Sequence, residues 1–364
     1  MCIRFAALGL LLTVLPVLAQ NAPPGKPHYR ADASWPQELP NKWIMGQVGG
    51  MAIDAQDHIW VLQRPKSAAA DLLAAQTPPH GDCCVTTPAL LEFDTKGALI
   101  KSWTASDFKG PWPASEHALW IDKSGNIWIS GNGGSDHQVV KYSPDGQLRM
   151  QIGHSGDMPR NNQDTSVLGR VADIFVDDAA HEVYFADGYL NTRVVVYDSE
   201  NGSFKRGWGA YGAPLDQLSN ADDQAPPDQA AKAFNNVHCA RMSKDGLIYV
   251  CDRHNNRIQV FTREGKFQKE FPVHPATLNA GSATTIIFSN DAKQNTMLVA
   301  DFTNNVIEVL RRSDGDEVGV IGHSGRNAGQ FHGVHQLVQD SHGNLYTGEA
   351  ADGRRIQKLM PVNN

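Results

Sequence analysis

Three histidines stand at one distance from a glycine. His117 is eight residues before Gly125, His238 eight before Gly246 and His335 eight before Gly343. Imidazole is the commonest metal ligand and serves Zn, Cu, Fe and Ni alike. Three imidazoles meeting at one point, with no fourth protein ligand, make the open coordination shell of a catalytic metal rather than the closed shell of a structural one. A lone histidine at a strand start is ordinarily a satisfied polar residue, so the chemistry depends on whether the fold brings the three together.

The elements that carry them are copies of one unit. A short strand runs into a turn rich in Asp, Ser and Gly, then into a strand of I/L-Y/W-V type, a polar loop and a strand such as RVVVYD or RIQVF. Six copies begin at GGMAIDAQDHIWVLQ (49–63), HALWIDKSGNIWIS (117–130), VADIFVDDAAHEVYFAD (171–187), HCARMSKDGLIYVCD (238–252), TTIIFSNDAKQNTMLVAD (284–301) and HQLVQDSHGNLYTGE (335–349). Alternating apolar residues predict the strands, and Asp-Gly or Ser-Gly the turns. Four-stranded units at this period predict an all-β, six-bladed β-propeller. The sixth copy ends after RRIQKLM (354–360), so the segment around His28–Trp35 is expected to supply its outer strand and close the ring. The first strand of each propeller blade lines the central channel. Equivalent positions in alternate blades are then about 120° apart around the axis. Copies two, four and six carry the histidines, which places the triad on the axis. Copies one, three and five have Gly49, Asp173 and Thr284–Thr285 near that position.

The end of each second strand returns to the same face, so the residues after it should surround the metal. They are Arg64 in WVLQRPK, Tyr189 in YFADGYLNTR, Arg253 and His254 in YVCDRHNNR, and Glu349 in YTGEAADG. A metal with an arginine and a tyrosine on one rim combines a Lewis acid, an anion clamp and a proton acceptor. The recurring Asp…Asn-x-Arg runs (Asp187, Asn191, Arg193; Asp252, Asn255, Arg257) read instead as scaffold, and Arg253 and His254 are open to the same reading. Arg64 fits no repeat position. The loop 65–88 leaves from this face and is expected to shape or cover a pocket.

The first 19 residues, MCIRFAALGLLLTVLPVLA, predict a secretory signal cleaved after Ala19. Residues 20–364 would then form one exported propeller domain, secreted or periplasmic. No later stretch is apolar and long enough for a membrane helix. Losing Arg4 with the signal takes the formal charge from −7 to −8, and no Lys/Arg-rich run exists, which argues against nucleic acid as a partner. Four cysteines remain after the signal: Cys239 and Cys251 on the arms of one hairpin, where a cross-strand disulfide is expected, and the vicinal Cys83 and Cys84, readable as a ring or as two thiols.

The copies, DRHNNRIQVF most clearly, resemble NHL repeats. The stretches VLQRP, HALWIDKSGNIW, FADGYLNTRVVVYD, NNVHCARMSKDGLIYVCDRHNNRIQVF and GVHQLVQDSHGNLYTGE are together similar to the catalytic domain of the peptidyl-α-hydroxyglycine α-amidating lyase family. The resemblance implies zinc on His117, His238 and His335, a catalytic arginine at Arg64 and a catalytic tyrosine at Tyr189. It also implies a lyase that splits a small-molecule or peptide α-hydroxyglycine into an amide and glyoxylate. The family's calcium-binding Asp after the third histidine is Gln336 here, which leaves a backbone oxygen at Leu119 as the remaining calcium donor. Gly333 replaces a pocket methionine, and Leu190 follows Tyr189 where the family has a disulfide. Two alternatives share the architecture: a metal-dependent hydrolase such as a lactonase, and a non-enzymatic NHL scaffold that binds protein.

Overall fold

A computed structural model of the chain describes residues 28–71, 75–76, 78, 80–221 and 231–362; the segment read as a signal, 1–19, lies outside them. Six four-stranded antiparallel sheets follow one another along the chain, each starting with its innermost strand. The inner strands are Gln47–Ile53, Glu116–Ile121, Asp173–Asp177, Val237–Met242, Ala283–Phe288 and Val334–Gln339. Each packs against the next, and the sixth packs against the first, so the ring is closed. The outer strand of blade 6 is Tyr29–Asp32, antiparallel to Ile356–Pro361 with Tyr29 opposite Pro361. Pro65–Asp71 is the one α-helix among the described residues.

The alternation of apolar side chains explains where the core lies. Each sheet has two faces, both covered by a neighbouring blade, and six separate apolar clusters fill the six gaps. The gap between blades 4 and 5 holds Tyr249, Ile258 and Phe271 against Ile286, Met297 and Val299, and the Cys239–Cys251 disulfide is buried in it. Those cysteines are register partners on the two strands of the hairpin. Cys83 and Cys84 are bonded to each other. They lie in the segment that descends from the short helix to Val85–Thr86, which pairs with Trp43–Ile44.

Turn chemistry fixes the phase of each blade. Gly125, Gly246 and Gly343 have φ of 78°, 81° and 85°, a left-handed backbone that glycine adopts without a Cβ clash. A residue counted back from such a glycine is therefore at a fixed height in the blade.

Charge clusters tie the outer strands together. Glu182 accepts bonds from both terminal nitrogens of Arg206, at 2.7 and 2.6 Å, and from the Tyr184 hydroxyl at 2.8 Å. Arg206 first, then Tyr184, hold its carboxyl down at about 2, against 4.5 unperturbed. A carboxyl lowered on folding stabilises above its unfolded pKa, and that contribution is lost as pH falls from about 4.5 to about 2. Glu182→Gln is expected to flatten this acid limb by about 2 kcal/mol, a value already discounted for partial exposure. Urea unfolding at pH 2–6 measures it, and parallel curves for variant and parent would refute it.

Candidate metal centre

A β-bulge places each histidine. The register of the first hairpin skips one residue between Glu116 and Ala118, between Val237 and Cys239, and between Val334 and Gln336. The skipped residues are His117, His238 and His335. A bulged residue drops out of the ladder and re-aims its side chain, here into the channel. All three are buried, with 0%, 1% and 3% exposure, so the triad is inside the molecule rather than on its rim.

The other three blades orient the rings. His117 Nδ1 bonds the carbonyl of Ala172 at 2.9 Å, His238 Nδ1 that of Thr284 at 2.8 Å, and His335 Nδ1 that of Val48 at 3.2 Å. Each acceptor belongs to the following, histidine-free blade. A carbonyl only accepts, so each Nδ1 carries the hydrogen and each Nε2 presents its lone pair to the axis. Burial first, then the neighbouring imidazoles and guanidiniums, push all three imidazoles well below their ordinary pKa, which keeps them neutral.

This donor set fits a cation. The Nε2 atoms of His238 and His335 are 3.2 Å apart with no hydrogen to share, and the three ligating atoms lie within 4.8 Å of one another. Nitrogens held by one tetrahedral zinc at about 2.0–2.1 Å are separated by roughly 3.3 Å. The buried triad can therefore hold a metal, and its all-imidazole character suits zinc or a similar transition ion rather than calcium. Gln336, beside the third histidine, has its amide engaged at both ends, donating to the Gly49 carbonyl at 2.9 Å and accepting from Thr285 at 3.4 Å.

Tyr189 closes the fourth side. Its Oη is 2.7 Å from His117 Nε2 and 3.1 Å from His238 Nε2. The preceding Gly188 makes this possible, because a Cβ there would stand 2.0 Å from the Val237 carbonyl. The loop is held at its two ends by Asp187, which binds Asn191 Nδ2 at 2.9 Å and Arg193 Nε at 2.8 Å. The same pattern repeats at Asp252, Asn255 and Arg257, so both runs are scaffold.

Two arginines without ion-pair partners among the described residues flank the phenol. Arg64 ends the second strand of blade 1 and lies in a neutral cradle: the Glu116 carbonyl at 2.7 Å, Gln47 Oε1 at 3.1 Å and Asn132 Oδ1 at 3.2 Å. Arg253 is 7% exposed, stacks 4.8 Å over the Phe302 ring and leaves its Nε buried without a partner. Burial lowers the pKa of both guanidiniums, and the nearby Tyr189 phenol counters it. A buried cation with an unmet donor is a standing demand for an anion.

One expected rim residue stands elsewhere. Glu349 is fully buried, with Oε1 bound by Arg355 and Gln357 at 2.7 Å each and Oε2 by the His332 amide at 2.9 Å. It is the blade 6 counterpart of Asp187 and Asp252, and its lone pairs are taken up by the scaffold. His254 follows Arg253 in a short 3-10 turn and is exposed. Sequence reading missed the orienting carbonyls of Val48, Ala172 and Thr284, and missed Phe302, which follows Asp301 as Arg253 follows Asp252.

Comparison with known proteins agrees with this architecture. The NHL repeat family matches residues 234–261, the stretch holding His238 and Arg253. The peptidyl-glycine alpha-amidating monooxygenase B of Xenopus laevis is 26% identical over 254 residues, 67% of this chain and 26% of that protein. The Rattus norvegicus enzyme is 25% identical over 257 residues, 67% of this chain and 23% of its own. The chain thus spans about a quarter of these relatives. The NHL repeat-containing protein 3 of Mus musculus is 25% identical over 65% of this chain and 58% of that protein. Among solved structures, a streptogramin B lyase aligns with TM-score 0.52 at 14% identity, covering 93% of this chain and 98% of that one. A virginiamycin B lyase from Staphylococcus aureus with Quinupristin aligns with TM-score 0.53 at 13% identity, covering 93% and 100%. At such identity these two likenesses speak to the propeller fold alone.

Proposed function

We propose that this protein is a secreted or periplasmic, metal-dependent lyase that cleaves the N–Cα bond of an α-hydroxyglycine-like substrate to give an amide and glyoxylate. The observation that carries the reading is the convergence of three Nε2 lone pairs and one phenol at a single buried point, with a buried, unsatisfied donor on Arg253 nearby. Similarity to the amidating monooxygenases supports it. His117, His238 and His335 would hold the metal, and zinc is the ion their donor set favours. Bound there, zinc supplies Lewis-acid chemistry that lowers the pKa of an alcohol.

The chain's own residues then have distinct tasks. Tyr189, flanked by two cations, takes the substrate hydroxyl proton at Oη. As the C–O bond becomes the aldehyde C=O, the N–Cα bond breaks and the amide nitrogen gains a proton, so the reaction needs no oxidant. Arg253 binds the substrate carboxylate through its unmet donor, and Arg64 fixes the carbonyl side from its neutral cradle. Calcium has no part in the reading.

The test is glyoxylate release from α-hydroxyhippurate by the zinc-loaded protein. Release that stops on chelation and returns with zinc is the expected result. Stoichiometric zinc binding with no glyoxylate would overturn the reaction while leaving the site. Lactone hydrolysis in its place would point to the hydrolase, and a metal-free, fully stable protein to the scaffold.

A further inference from the structure

Blade 5 breaks a scaffold that blades 3, 4 and 6 repeat. In blades 3, 4 and 6 a buried acid at the end of the second strand meets an arginine: Asp187 with Arg193, Asp252 with Arg257 and Glu349 with Arg355, at 2.8, 2.8 and 2.7 Å. In blade 5 the acid is Asp301, fully buried, and its register partner is Val306. The guanidinium is gone, yet the carboxylate remains.

A second acid has been added beside it. Where blades 4 and 6 have Gln259 and Gln357, blade 5 has Glu308, which is 1% exposed and has neither carboxylate oxygen hydrogen-bonded. Glu317 adds a further negative charge nearby, and among the described residues the cationic group that faces the pair is His274, from the connection between blades 4 and 5. Its Nδ1 is 2.9 Å from Asp301 Oδ2 and 3.5 Å from Glu308 Oε1, and its side chain is 40% exposed, open to solvent. Asn304 Nδ2 also reaches Asp301 Oδ2, at 2.8 Å. Two buried carboxylates against one half-exposed imidazole are short of positive charge, and a buried unpaired carboxylate is costly.

We propose that Asp301, Glu308 and His274 bind a second divalent cation, which fills in blade 5 the role the scaffold arginine fills in blades 3, 4 and 6. The ligating atoms lie within 4.8 Å of one another. Two carboxylates match the charge of one divalent ion, and the imidazole favours Zn2+ over Mg2+ and Ca2+. The ion would fasten the connection carrying His274 to the sheet of blade 5. Its role is structural and independent of the lyase reading.

The experiment is metal analysis of the whole mature protein after zinc loading and removal of loose metal, on four chains in parallel. The parent should hold about two equivalents, Glu308→Gln one fewer, and His335→Ala likewise one fewer by loss at the axis. Val306→Arg, which rebuilds the ion pair of the other blades, should also lose one equivalent while keeping its thermal midpoint in chelator at or above the parent's. The axial equivalent that remains in Glu308→Gln and Val306→Arg reports that they are folded. A parent holding a single equivalent that His335→Ala removes and Glu308→Gln keeps would overturn the proposal. A proton shared among the three side chains would then balance the charge.

Discussion

Arg193→Ala is expected to cost about 3–5 kcal/mol of stability. The side chain is fully buried, and its guanidinium bonds Asp187 Oδ2 and the carbonyls of Asn162, Asp164 and Val167 at 2.6–2.9 Å. Removing it leaves a buried carboxylate uncompensated and takes the partner from three carbonyls, that of Asn162 fully buried. Arg193→Lys should recover little, because one ammonium cannot span four acceptors set out for a planar fork. The same substitution at Arg257 and Arg355 should cost progressively less, since those side chains are 8% and 25% exposed against 0% for Arg193. Equilibrium unfolding of the three variants tests the ranking. A cost under about 1 kcal/mol at Arg193 would mean the pair stabilises no more than a surface ion pair. The loop that Asp187 and Arg193 bracket carries Tyr189, so the loss should extend to the site.

The placement of the triad was legible in the sequence because a physical constraint links histidine to glycine. The turn demands φ near 80° at Gly125, Gly246 and Gly343, and the strand between is too short to slip. The acceptors at Val48, Ala172 and Thr284 were not legible, since any residue type offers a carbonyl and only the ring geometry says which one faces a histidine. Glu349 shows the opposite case. Its spacing to Arg355 equals that of Asp187 to Arg193, which marks it as scaffold, although its place after the second strand equally suits the rim. Arg253 stands one position beyond the equivalent acid, and that single step turns a side chain from the scaffold towards the axis. Val306 was a signal too: an apolar residue where the repeat asks for arginine marks a blade whose charge must be balanced by other means.

Tyr189→Phe is expected to lower turnover about 10²–10⁴-fold, the range for loss of a positioned proton acceptor, with metal content unchanged. The ring itself packs edge-on to His117 and His238, with centroids 4.8 and 5.6 Å apart, and phenylalanine keeps those contacts while losing only Oη. A loss confined to turnover therefore belongs to the hydroxyl and not to packing. Gly188→Ala supplies the contrast, because its Cβ would displace the loop or the Val237 backbone next to His238. It should lower metal affinity and turnover together, while Tyr189→Phe separates them. If Tyr189→Phe retains turnover within a few-fold of the parent, the phenol is no more than a lid on the triad. The proton must then leave by another route, and the guanidiniums of Arg64 and Arg253, which would steady a tyrosinate beside them, would be serving the substrate alone.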